Sequence, residues 1–381
     1  MYHMMKKIFL LFSFFYYSVF FAQNDVQKDT ISNYSKILRN TSFSGLLQTR
    51  YLVSLTKNVD VSGVNVTDQE KLVSNSFNIR RARFIIKSKI NDRFDLGIML
   101  NFSEFNSSNV TGKVLEQAFV RYAHNQHFKI QMGQFRPYFG IEDEIPADFI
   151  KSVDFSNGYT LLGKNGWQSY QTGVAVYGDL NQSQTPFKYY AGVTNGNSRG
   201  QENDSDNSKH AYVRLEKEFK NDFKIGVNGG IGSYTNKTGD AMGGDLEKTF
   251  VINKKWSFEV ISEYKEGTNF SEYAAFKLSP KPEMKDFRFR NFYINPIIRY
   301  NINSPRLRSI EFSSRYEYLN PNYQLDGNVR KTITPMFNLE FADQYFACLQ
   351  IGAMIDDYQK NVPLTSEYDH TTLFAQVQVR F

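Results

Sequence analysis

Residues 371–381 read TTLFAQVQVRF. In an extended chain Leu373, Ala375, Val377, Val379 and Phe381 fall on one side, and Phe374, Gln376, Gln378 and Arg380 on the other. Successive side chains of a strand point to opposite faces, so a sustained period of two describes a strand with one apolar and one polar face. The same alternation runs through 93–102, where Phe94, Leu96, Ile98, Leu100 and Phe102 oppose Asp95, Gly97, Met99 and Asn101. In 345–355, Tyr345, Ala347, Leu349, Ile351, Ala353 and Ile355 share a face.

Extending the pattern predicts strands at 43–53, 77–89, 93–103, 114–123, 127–135, 168–178, 186–194, 209–219, 223–234, 245–252, 255–265, 289–301, 308–318, 330–341, 345–356 and 371–381, of which 245–252 carries the weakest signal. The connections alternate in length. Those at 90–92, 124–126, 179–185, 220–222, 253–254, 302–307 and 342–344 are short, and those at 54–76, 104–113, 136–167, 195–208, 235–244, 266–288, 319–329 and 357–370 are long. Long strands with short turns at one end and long loops at the other describe an outer-membrane barrel. Lipid offers no hydrogen bonds, so such a sheet must close on itself. A secreted soluble sandwich is the rival, but its strands would average about 5–6 residues. The expected fold is therefore all-β, a transmembrane antiparallel β-barrel of about 16 strands over residues 43–381. Tyr51, Tyr122, Trp256, Tyr264, Tyr300 and Tyr318 near strand ends suit its interfacial girdles.

Composition agrees once half of every strand faces water. The mean hydropathy is −0.47, yet 16% of residues are aromatic, with 34 Phe and 24 Tyr. A single Cys excludes an internal disulfide and a Cys-based zinc site. The net charge of +6 falls to +4 if Lys6 and Lys7 leave with the N-terminal segment, too mild to indicate a nucleic-acid partner. At the N-terminus, Lys6 and Lys7 precede an apolar run from Ile8 to Phe21 and the small residue Ala22. This is the pattern of a signal peptide at 1–22. A polar periplasmic segment at 23–42 follows, and the expected destination is the outer membrane, with lipid around the barrel.

Phe77-Asn78-Ile79-Arg80-Arg81-Ala82-Arg83, followed by Lys87 and Lys89, resembles the "RRAR" strand of the phosphate-selective porin (porin O and P) family. Met132-Gly133-Gln134-Phe135-Arg136-Pro137-Tyr138-Phe139-Gly140 resembles its "GQF-basic-P-x-F" segment, and Gln171–Val174 and Gly192–Gly196 its later strands. The resemblance is firm from about 77 to 196. It implies a homotrimeric porin of 16 strands that admits anions, with the third long loop folded into the pore. The terminal Phe381 is similar to the signal by which the outer-membrane assembly machinery recognises barrels.

Alternation assigns faces without the family. Gln48 and Arg50 face the lumen, as do Arg81, Arg83, Lys87 and Lys89, then Gln117 and Arg121, then Lys129 and Gln131. Arg50, Arg81, Arg83, Lys87, Lys89, Arg121 and Lys129 are the candidate pore-lining bases, with Asp95 the clear acid among them. A ladder of Arg and Lys is what an anion pore needs, because a low-dielectric wall focuses its field. Later strands are mixed: Glu216, Glu218, Glu259, Glu263, Glu311, Glu317 and Glu340 accompany Arg214, Arg299, Arg315 and Arg380. The loop at 136–167 is the candidate constriction, with Arg136, Lys151 and Lys164 against Glu142, Asp143, Glu144, Asp148 and Asp154. An acidic loop opposite a basic wall predicts a transverse field suited to small polar or zwitterionic solutes.

The expected function is a passive diffusion porin for small hydrophilic solutes with a weak preference for anions, phosphate among them, set against two alternatives: a general or zwitterion-permeable porin, and a non-conducting structural or adhesive barrel. An enzyme is not expected, and neither is a cofactor. Gly158–Asn165 nearly spells a phosphate-binding loop, but Asn165 stands where Ser or Thr is required. His124 and His127 lack further ligands, no G-x-S-x-G element occurs, and Cys348 reads as a structural, inward residue.

Overall fold

The computed structural model describes residues 40–106, 113–181, 184–197, 207–302 and 304–381. The chain divides into two compact units, 1–41 and 42–381. The expected signal peptide at 1–22, and the segment after it as far as residue 39, lie outside the described residues.

Among the described residues the strands are β1 Thr41–Ser54, β2 Asn75–Lys89, β3 Phe94–Asn101, β4 Leu115–Ala123, β5 Lys129–Phe135, β6 Gln171–Asp179, β7 Phe187–Thr194, β8 His210–Phe219, β9 Phe223–Tyr234, β10 Lys237–Val251, β11 Trp256–Thr268, β12 Arg288–Asn301, β13 Ser309–Asn320, β14 Arg330–Ala342, β15 Ala347–Tyr358 and β16 His370–Arg380. They form a closed antiparallel barrel in sequence order. The closing seam pairs β1 with β16, from Leu46 opposite Arg380 to Ser54 opposite Thr372. The barrel expected from the alternation is the one observed.

The period of two becomes an inverted burial pattern. On β13, Ser309, Glu311, Ser313, Arg315 and Glu317 are buried inside, while Phe312 is exposed on the outer wall. On β16, Gln376 and Gln378 are buried and Val377 and Val379 exposed. Outward rings pair at strand ends, with centroids 4.6 Å apart for Trp256–Tyr300, 5.1 Å for Phe94–Tyr122 and 4.4 Å for Tyr51–Phe77. Such belts hold a barrel at the two interfaces.

Two expectations need correction. The strand expected at 245–252 begins at Lys237 and runs for 15 residues, and the long loop expected at 235–244 is a two-residue hairpin. Thr235 and Asn236 have φ of 44° and 64°, the left-handed pair that tight hairpins require. The strand's first half is glycine-rich because its inner face is crowded. A Cβ on Gly239 would lie 2.6 Å from Thr268 Oγ1, and one on Gly243 2.6 Å from Lys265 Cγ. Tyr345, expected on the outer face of its strand, belongs instead to the turn at Asp343–Tyr345. Left-handed backbone at Gln344 and Tyr345 and a register shift between Glu340 and Ala342 turn it inward, where its hydroxyl donates to Glu311 at 2.6 Å.

The wall is uneven. β3, β5 and β7 have 8, 7 and 8 residues, against 15 in β10 and 14 in β12. Between β5 and β6 the third long loop carries two helices, α1 Ile141–Glu144 and α2 Asn157–Lys164, the latter capped by Ser156. A third helix, α3 Phe270–Ala275, follows β11. The apolar core lies inside the barrel, where Phe139, Leu162 and Trp167 of the loop pack on Tyr212, Phe270, Phe287 and Phe289. Ile141 packs on Ile261, Tyr293 and Ile297.

Candidate channel interior

The loop enters the barrel at a sharp turn. Tyr138 is left-handed with φ 57°, and Gly140 has φ 125°. A Cβ on Gly140 would sit 2.1 Å from Glu263 Oε1 and 2.5 Å from Lys265 Nζ. Glycine alone allows this approach, and the next amide, of Ile141, donates to Glu263 at 3.0 Å.

Several predicted constriction residues shape the loop itself. Arg136 donates to the carbonyls of Asp143 and Ile145 at 3.1 and 2.7 Å and lies over the Phe155 ring. Glu142 accepts from the Ser156 amide at 2.7 Å and its hydroxyl at 2.5 Å. Asp143 accepts from the amides of Phe139 and Ser169 at 3.0 and 3.2 Å.

The others fasten the loop to the wall. Glu144 meets Arg214 at 2.9 Å and Lys224 at 3.4 Å. Asp148 meets Arg380 at 2.6 Å. Lys151 meets Glu311 at 3.5 Å and Glu259 at 3.7 Å. Asp154 is gripped by three guanidiniums, Arg50 at 2.8 Å and Arg80 and Arg81 at 3.0 Å each. The expected field across open space is thus replaced by direct contact. The acids either turn into the loop or touch bases, because burial leaves a charge no better option than a partner.

Arg50 and Arg81 are also held from behind. Arg50 donates to Gln376 Oε1 and to the Val153 carbonyl, and Arg81 to Gln48 Oε1 at 2.7 Å. Arg83 pairs with Glu116 at 2.5 Å and reaches the Tyr170 hydroxyl at 3.3 Å. Arg121 pairs with Asp95 at 2.8 Å and donates to the Tyr177 hydroxyl. Lys129 lies 5.9 Å from the Tyr177 ring centre. Lys87 and Lys89 are exposed, Lys89 pairing with Asp92 in the adjoining turn at 3.0 Å.

Sequence reasoning missed two partners. Strict alternation turns Glu116 outward, yet it is 2% exposed on the inside. A register irregularity where Leu100 pairs with Leu115 and Met99 with Gln117 inverts the parity at this strand end. Arg80, next to the inward Arg81, also reaches Asp154. Here β2 extends beyond its pairing with β3, which begins only at Arg83. The doubled Arg80-Arg81 was the one signal for it.

Electrostatics on the loop divide. Burial alone would raise the Asp154 carboxyl, but Arg80, Arg50 and Arg81 together drive it far below the ordinary carboxylate range. Glu144 is pushed up to about 8, chiefly by burial and against the pull of Arg214. Arg214 faces Asp245, Glu216 and Glu144 at once, too many carboxylates for one guanidinium. A cavity of about 540 Å³ lies beside the cradle, bordered by Arg80, Arg81 and Arg83 and, opposite, by Arg315, Glu317, Arg330 and Asp356.

The third loop of the closed barrel, entered at the Gly140 turn, is thus pinned to the wall. Residues 53–221 match the phosphate-selective porin O and P family. Both motifs that carry the resemblance, on β2 and at the β5 loop entry, lie within this porin match. The wall from β9 onward lies beyond it. Solved structures extend the fold to nearly the whole chain. The DcaP channel of Acinetobacter baumannii aligns with TM-score 0.58 at 10% identity, over 90% of this chain and 97% of its own. OmpF of Salmonella typhi, solved with daunomycin, gives 0.57 at 13% identity, over 90% and 97%. OmpT of Vibrio cholerae in its trimer form gives 0.55 at 11% identity, over 90% and 99%. No curated protein matches the chain in sequence. The porin family match and the porin fold together support an outer-membrane channel rather than an enzyme.

Proposed function

We propose that the protein is a passive diffusion porin for small hydrophilic solutes, with weak anion preference supplied by Arg50, Arg81, Arg83, Lys87, Lys89, Arg121 and Lys129. The observation that supports this reading is a cavity of about 540 Å³ bordered by Arg81 and Arg83, on a strand next to buried Arg50. Rows of inward bases favour anions in a channel. Pairing of Arg50 and Arg81 with Asp154, Arg83 with Glu116 and Arg121 with Asp95 favours a second reading, a general porin without phosphate selectivity. The two differ in how much of the basic field survives its partners.

The uneven wall supports a homotrimer. Strands of 7 and 8 residues at ~3.3 Å per residue and ~40° tilt rise only about 20 Å, short of the ~25 Å apolar band of such barrels. A neighbouring copy over β3–β7 would shield what lipid cannot match. Met132 on this wall is among its most exposed apolar residues.

Planar-bilayer recording across a salt gradient tests the reading. Ohmic steps that close in threes, with an anion-directed reversal potential, are expected. A reversal potential at zero would favour the general porin. Insertion without current would leave a structural or adhesive barrel.

A further inference from the structure

The grip on Asp154 is more than a loop fastening. Its Oδ1 receives Arg80 Nε and Arg81 Nη2 at 3.0 Å each, and its Oδ2 receives Arg50 Nη1 at 2.8 Å. Both oxygens of a planar carboxylate are thus matched by donors of fixed direction, the geometry guanidiniums provide best. Two of the donors do not depend on Asp154 for their position, because Gln376, the Val153 carbonyl and Gln48 hold them. One carboxylate among three guanidiniums leaves positive charge over, of which Glu104 beside Arg80 answers part. Three other neighbouring acids are already engaged, Glu116 with Arg83, Glu317 with Arg315 and Asp356 with Arg330. The Asp154 side chain is 23% exposed and borders the cavity, so the cradle opens toward solutes.

We propose that the Arg50–Arg80–Arg81 cradle is a binding site for small organic monocarboxylates, with Asp154 acting as a tethered competitor that an incoming carboxylate shares or displaces. The inference rests on the reading that solutes reach the barrel interior. The cavity's other walls sharpen the ligand class. The rings of Phe155, Tyr159 and Tyr170 border it, offering apolar surface for a carbon skeleton. Glu104, Glu116, Glu317 and Asp356 also border it, and these repel a multiply charged phosphate more than a singly charged carboxylate. A tethered carboxylate of high local concentration keeps the free ligand's affinity low, as a channel that must release its solute requires.

Calorimetric titration of the full chain, refolded in detergent, tests the site with benzoate, acetate and inorganic phosphate as probes. Benzoate is expected to bind weakly to the unaltered protein, and at least about tenfold more tightly to Asp154→Asn, which keeps the shape and removes the competing charge. Arg81→Gln is expected to weaken it by at least about tenfold. Unchanged benzoate affinity in both variants overturns the proposal, as does phosphate binding more tightly than benzoate throughout. If Asp154→Asn fails to fold, Arg81→Gln decides alone. The titration needs no current. A barrel that inserts silently but binds benzoate sinks the porin reading and keeps the site, whereas a conducting barrel indifferent to these variants keeps the porin and sinks the site.

Discussion

Glu116→Gln separates the observed structure from strict alternation by the sign of its effect. If Glu116 faced lipid, as parity alone places it, neutralising it would relieve a charge in the apolar band and stabilise the barrel. In the structure it lies inside, its side chain 3% exposed, 2.5 Å from an Arg83 side chain that is 7% exposed. Coulomb attraction at that separation is about 7 kcal/mol at an effective dielectric constant near 20, an upper bound before desolvation. Removing one member of a buried pair typically costs about 3–5 kcal/mol, because the other charge is left without its partner. A glutamine still offers an oxygen to Asn101, which now donates to Glu116 at 3.1 Å, so a loss of about 3 kcal/mol is expected, roughly a hundredfold in the folding equilibrium. Guanidinium denaturation in detergent would measure it, with Arg83→Met and the double variant completing a cycle. The expected coupling between the two positions is at least about 2 kcal/mol. A stabilised Glu116→Gln, or additive single effects, would refute the inward placement.

Further outcomes follow from other features. Asp154→Asn removes one negative charge from the lumen and weakens three loop contacts, so conductance should rise and the reversal potential move toward the anion limit; an unchanged potential speaks against the cradle's influence on ions. The Asp154 carboxyl is lowered, so its contribution is present above the ordinary carboxylate value of about 3.9 and is lost only as pH falls through its lower folded value. Conductance should therefore show no acid opening down to about pH 4, which bilayer recording checks. Glu144 is raised from 4.5 to about 8, so its contribution is full below 4.5 and is lost as pH rises through about 8. Glu144→Gln should flatten the fall in stability across that window, measured by denaturation midpoints. Asn236→Ala places a Cβ without side-chain compensation at φ 64° and should cost about 1 kcal/mol by the same measurement. Deleting Phe381 should lower the heat-modifiable folded fraction in cells if the assembly machinery reads that residue.

The wall of this barrel was legible because its information is local. Each strand's period of two is visible within its own ten or so residues, and β9 runs over the same 223–234 that alternation predicts. Elements that break the period were not legible. β10 hides behind glycines whose reason is a neighbour's side chain, and Glu116 behind a bulge that depends on how β3 and β4 pair. The interior was half legible. Alternation predicts which bases turn inward; of these Arg50, Arg81 and Arg83 are buried, and Lys87 and Lys89 are exposed. It cannot identify their partners, because Asp154 lies 104 residues from Arg50 and 73 from Arg81. Its own loop has no period to read. The adjacency of Arg80 and Arg81 is the one place where the cradle left a trace in sequence.

The third loop is attached by two unlike edges. Toward β8–β12 it is held by Phe139, Ile141, Leu162 and Trp167 together with the pairs of Glu144 and Lys151, and toward β1, β2 and β16 chiefly through ion pairs of Asp154 and Asp148. Electrolyte acts on these edges unequally. It weakens the more exposed Arg80–Asp154 and Asp148–Arg380 pairs, reaches the buried Arg50 and Arg81 less, and does not weaken apolar contact. The edge held chiefly by charge is therefore the one that answers to the medium. Conductance should climb faster than the conductivity of the bathing solution, so that the ions being carried also adjust the aperture that carries them.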